Sequence, residues 1–193
     1  MINTQKYIRD NKEKFLSELF QLLRLPSISA DPKYSKDVID TAEMVRNNLE
    51  EIGLTNCKLF QTNGFPIVYG EKIIDSNLPT VLIYGHYDVQ PPDPIDLWKS
   101  KPFEPEIRNE KIYARGACDD KGQFFMHVKA VESMIAADEL CCNVKFMIEG
   151  EEEIGSENLE IFVKNNKQLL SSDVILISDT GIISNDTPSI TTG

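Results

Sequence analysis

Apolar residues recur at helical spacing near the start of the chain, at Ile8, Phe15, Leu19 and Leu22, and predict a helix from Gln5 to Leu23 that Pro26 closes. A second amphipathic stretch, from Ser35 to Glu51 with Gly53 as its stop, predicts another helix. Short apolar segments at Cys57–Gln61, Pro66–Tyr69 and Thr80–Tyr84 read as strands. The segment Pro91–Arg108 holds five prolines and a tryptophan, which predicts an ordered loop. Beyond it the pattern gives a short strand at Lys111–Tyr113 and a helix at Gly122–Ala137 with Phe125, Val128 and Val131 on its inner face. A strand at Val144–Ile148, a helix at Glu157–Asn165 and a buried strand at Val174–Ile177 follow. The last dozen residues, IISNDTPSITTG, carry a strand start. Strands alternating with helices predict a layered α/β fold, and no internal repeat or domain boundary interrupts it.

Composition narrows the function. With 193 residues and 41% hydrophobic content, the chain fits one domain with a real core. A net charge of -11 argues against a nucleic-acid surface, which needs clustered Lys and Arg. No apolar run approaches the length of a membrane span, and the first residues lack the apolar core of a secretory signal, so the expectation is a cytoplasmic protein. Cys57, Cys118, Cys141 and Cys142 suit neither a disulfide framework nor a zinc knuckle.

Carboxylates at strand ends change this picture most. Val81–Tyr84 leads to His86 and Asp88, Val144–Ile148 to Glu149 and the run Glu151, Glu152, Glu153, and Val174–Ile177 to Asp179. Asp119 lies in ARGACDDKG, just before a helix. Ligands of open α/β sheets gather at the carboxyl ends of strands. Several carboxylates packed there repel one another unless cations neutralise them, and one imidazole among acids suits zinc, manganese or a related divalent ion. On an extended backbone, residues two apart share a face, so Asp88 can orient the His86 ring. Each piece also has a plain structural reading: a solvated His–Asp pair, an acidic turn favoured by a helix dipole, ordinary caps at Asp119 and Asp120. His127, amid Phe125, Met126 and Val128, reads as a packed helix residue.

Taken in order, GHYDVQPP, LWKSKPFEP, YARGACDDKGQ, IEGEEEIGS and ISD resemble the M20 family of metallopeptidases, whose members include carnosinase-like dipeptidases. LLRLPSIS resembles the family's opening helix and loop. The resemblance implies a layered α/β/α zinc-peptidase-like fold with a mixed central sheet. It implies two divalent ions, zinc with manganese or cobalt as alternatives. His86, Asp119 and Asp179 would hold the first, with Asp119 bridging to a second held by Glu153. Glu152 would be the general base, Asp88 would brace His86, and Glu151 would stay outside the site. Cys118 would pack beneath Asp119, and the peptide joining Asp119 to Asp120 would be cis. The implied substrate is a dipeptide; a small N-acyl amino acid, or a non-catalytic fragment that binds metal or a partner, are the competing expectations. Family members are about twice this length. Residues 1–193 would therefore be the N-terminal portion of the catalytic domain, without the lid and dimerisation domain that makes a homodimer and without the C-terminal part.

Overall fold

The computed structural model describes residues 3–184 and 186–187. Helices α1 (Thr4–Asp10) and α2 (Lys12–Leu23) replace the single helix expected over Gln5–Leu23. Asn11 ends the first, its side-chain Nδ2 donating to Tyr7 O at 2.9 Å. Helix α3 (Ser35–Glu51) has the expected bounds and buries Val38, Ala42, Val45 and Leu49 on one stripe. Strands β1 (Thr55–Phe60), β2 (Ile67–Lys72) and β3 (Thr80–His86) follow. The proline-rich segment folds as a loop with one short 3-10 turn at Ile95–Leu97, and at its end β4 (Glu106–Arg108) makes a small antiparallel sheet with β5 (Lys111–Tyr113). Trp98 Nε1 pins this loop by donating to Pro92 O at 2.7 Å. Then come α4 (Lys121–Ala136), β6 (Asn143–Glu149), α5 (Leu159–Asn165) and β7 (Val174–Ile177). The strand start read in the last dozen residues falls largely outside the described residues.

Five strands form one mixed sheet in the order β1-β2-β6-β3-β7. β3 runs parallel to both β6 and β7, while β2 is antiparallel to β6 and β1 to β2. Alternation along the strands separates two cores. Val68, Ile83, Val144, Phe146 and Ile148 face α2, α3 and α4, whereas Ile67, Tyr69, Leu82 and Met147 pack with Phe162 of α5 and Leu170. The layers are therefore helix, sheet, helix. β7 lies at the edge, and all four of its residues are exposed, unlike the buried strand the sequence predicts. β3 and β6 run on beyond their apolar cores to His86 and Glu149, which pair with each other. Among the described residues no helix is long and apolar enough to cross a membrane.

Candidate metal centre

Parallel pairing brings three carboxyl ends to one rim. β3 ends at His86 beside Glu149 of β6, and β7 stops opposite Tyr84, which brings Asp179 to the same place. The turn Glu152–Ile154 follows β6, and Asp119 precedes α4, which packs across β3. Gly85 allows that approach. A Cβ on it would lie 2.5 Å from Asp120 Oδ2 and 2.8 Å from Phe124 Cβ.

His86 is fully buried and is the centre of the cluster. Its Nε2 lies 3.1 Å from Asp119 Oδ1, 3.6 Å from Asp179 Oδ2 and 3.9 Å from Glu152 Oε2. Two overlapping groups have ligand atoms within 4.8 Å of one another: His86 with Asp119 and Asp179, and His86 with Glu152 and Glu153. The two groups together hold His86, Asp119, Asp179, Glu152 and Glu153, with Asp119 and Glu153 in different groups. On the other side of the ring, Nδ1 lies 3.1 Å from the Asp88 carbonyl and 3.3 Å from Asp88 Oδ1. Both are acceptors, so Nδ1 carries a proton whatever the charge of the ring, and Nε2 faces the acids. Burial pushes the His86 pKa down, but the Asp88 hydrogen bond and the charges of Asp88, Asp120 and Glu152 outweigh it and raise it to about 10.

Asp88, fully buried, takes more than the imidazole. Its Oδ1 also accepts the backbone N–H of Glu152 at 3.3 Å, and Oδ2 accepts the N–H of Glu153 at 3.1 Å and the Ser29 hydroxyl at 2.6 Å. The sequence suggests only the first of these contacts. Glu151 accepts from Asn158 Nδ2 at 2.8 Å and belongs to neither group. Glu153 Oε2 accepts from Gln90 Nε2 at 2.7 Å. Burial raises the Glu153 pKa, and the charge of Asp119 adds to it against the pull of the Gln90 bond.

Other residues of the site were not legible in the sequence. Asp120 stands at the N-cap of α4, but its side chain makes no capping bond. It is buried, its Oδ2 accepts the His86 backbone N–H at 3.1 Å, and no donor among the described residues reaches Oδ1. Burial raises its pKa to about 7, against the pull of His86. Below the rim, buried Glu149 accepts from Tyr84 Oη at 2.6 Å and Ser156 Oγ at 2.9 Å, which ties the glutamate turn to β3. His127 lies on α4 with Nε2 against the hydroxyl of Ser178, next to Asp179. Cys118 is exposed and does not pack beneath Asp119, because the turn directs it outward while its carbonyl accepts from Gln123. The peptide between Asp119 and Asp120 is cis, as expected.

The donor set fits a divalent cation. One imidazole nitrogen, free to ligate once its proton is displaced, and several carboxylate oxygens lie close together, and the mutual repulsion of the acids favours a positive charge between them.

Known proteins point the same way. Residues 82–190 match Peptidase family M20/M25/M40. The chain is 31% identical to the cysteinylglycine-S-conjugate dipeptidase of Corynebacterium striatum over 191 residues, which is 98% of this chain and 42% of that protein. Its fold superposes on human carnosine dipeptidase 1 with a TM-score of 0.87 at 30% identity, covering 94% of this chain and 41% of that one. An M20 family metallo-carboxypeptidase from Sulfolobus solfataricus is 42% identical with a TM-score of 0.79, over 87% of this chain and 38% of that one. The chain therefore spans about two fifths of the length of these relatives. With the mixed sheet, the shared rim and the family match together, the chain belongs to peptidase family M20/M25/M40.

Proposed function

We propose that the chain is the N-terminal portion of the catalytic domain of a metal-dependent dipeptidase, and that its acidic rim is the catalytic centre. The observation that carries this reading is the convergence of Asp119, Asp179 and Glu152 on the outward nitrogen of one buried histidine. His86, Asp119 and Asp179 hold one divalent ion, and Asp119 with Glu153 contributes to a second. Zinc suits the imidazole–carboxylate set, with manganese and cobalt as alternatives.

A divalent cation in this position neutralises the acids, polarises a carbonyl and lowers the proton affinity of adjacent water. The chain's own groups do the rest. Asp88 fixes the His86 ring and keeps its proton on Nδ1. Glu152 Oε2, half-exposed and turned toward His86, accepts the proton of the attacking water and returns it to the leaving amine. Glu149, Tyr84 and Ser156 hold the turn from which Glu152 projects.

The dipeptidases among the relatives support a dipeptide as substrate. The relatives extend well beyond this chain, and in this reading that further length would supply the lid, the dimerisation surface and the remaining part of the catalytic domain, with the cytoplasm as the working compartment. The test is hydrolysis of cysteinylglycine and β-alanyl-histidine by the complete protein, before and after a chelator and with zinc restored. Turnover that the chelator removes and zinc restores, and that His86→Ala lacks, supports the proposal. Turnover indifferent to the chelator refutes it.

A further inference from the structure

We infer that Ser29 is a positioning residue for the metal centre, acting through Asp88. The inference rests on the proposed metal centre.

Ser29 belongs to the loop between α2 and α3, far from the site in sequence. It is nearly buried, and its hydroxyl makes the shortest of the contacts to Asp88, at 2.6 Å to Oδ2. A carboxylate can rotate about its Cβ–Cγ bond, and rotation here would disturb both of its duties at once. Oδ1 faces His86 Nδ1 and the amide of Glu152, while Oδ2 faces the amide of Glu153. Ser29 supplies Oδ2 with its second donor, beside the amide of Glu153. Without that hydroxyl, Oδ2 keeps only the Glu153 amide, and the carboxylate has less to hold its plane.

The loop is rigid enough for this role. Ser27 Oγ donates to Tyr87 O at 2.6 Å, and Val89 N donates to Ser27 O at 2.9 Å, which lace the loop to the chain just past β3. From the other side, the fully buried Lys121 donates through Nζ to Leu22 O at 3.1 Å and Leu25 O at 2.7 Å. Lys121 directly follows the Asp119–Asp120 pair, so the loop bearing Ser29 is anchored to both segments that supply the imidazole and the acid facing it.

A serine that merely fills space would affect stability alone. The separating experiment titrates the chain with cobalt(II), reading the visible absorption of the bound ion, and with zinc by competition, alongside the melting temperature of each metal-free variant. Ser29→Ala is expected to weaken metal binding about 3–10-fold, below the usual effect of groups directly behind a ligand because Ser29 acts one step further out, and to change the cobalt spectrum. Ser29→Thr, which keeps the hydroxyl, is expected to restore affinity to within about twofold. Ser27→Ala, in the same loop but bonded to a backbone carbonyl, is expected to lower the melting temperature without changing affinity. Equal affinity of Ser29→Ala and the natural chain, or an equal loss of affinity in Ser27→Ala, would overturn the assignment. No metal uptake by the natural chain would overturn the metal centre itself, and the role of Ser29 with it.

Discussion

The backbone N–H of Glu153 donates to Asp88 Oδ2 at 3.1 Å, so the carboxylate beside the His86 ring also fixes the turn that carries the paired glutamates. One buried side chain thereby sets the geometry of two strand ends. Asp88→Asn keeps the volume but replaces an acceptor oxygen with an amide donor, which cannot satisfy all of these N–H and O–H groups. Its metal affinity is expected to fall about 10–100-fold in a zinc competition titration. Unchanged affinity would remove Asp88 from this role.

The neighbouring glutamates separate base from ligand. Glu152→Gln is expected to lower kcat of the complete protein about 10²–10⁴-fold while leaving metal content intact, since it removes a proton acceptor. Glu153→Ala is expected to lose metal. Metal analysis and initial rates on both variants give the answer, and equal metal loss from the two would shift the roles along the glutamate run.

Metal uptake should release protons. The His86 pKa is raised to about 10 in the metal-free chain, so at neutral pH the ring carries a proton that a cation must displace. Affinity is therefore expected to rise with pH up to about 10, with about one proton released per ion near pH 7, read by calorimetry in buffers of different ionisation enthalpy. The same shift acts on folding with the opposite trend. A pKa raised from 6.5 contributes stability to the metal-free chain that is complete below 6.5 and lost as pH rises through about 10.

Gly85→Ala would place a Cβ 2.5 Å from Asp120 Oδ2 and 2.8 Å from Phe124 Cβ. The helix α4 or the carboxylate must move, at an expected cost of about 1–3 kcal/mol in urea unfolding. A stability equal to the natural chain would show that Asp120 does not hold this position.

Much of the fold was legible because burial follows simple periods. Val38, Ala42, Val45 and Leu49 mark α3 to its true ends, and the apolar run before His86 marks β3. The break at Asn11 was not legible, because the apolar stripe continues across it and only the backbone of this one residue, at φ -108 and ψ 10, departs from the helix. Strand ends were read short where polar residues such as Glu149 extend the ladder, since pairing depends on the neighbouring backbone more than on side-chain polarity. In the site, the acids after β3, β6 and β7 declare themselves by position. Asp120, Ser29 and Gln90 do not, because their partners are a backbone amide and carboxylates distant in sequence, and spacing carries no signal for either. The doubled acid at Asp119 and Asp120 was the one available hint.

The most direct test of the central claim is zinc stoichiometry of the 193-residue chain, measured by competition with a chromogenic chelator, for the natural sequence and for His86→Ala. The account predicts one tightly held ion, since His86, Asp119 and Asp179 converge, and little hold on a second, for which the proposed ligands within this chain are only the carboxylates of Asp119 and Glu153. That ion should disappear in His86→Ala while the metal-free fold persists. Undiminished tight zinc in a folded His86→Ala chain, or none in the natural one, would contradict the account.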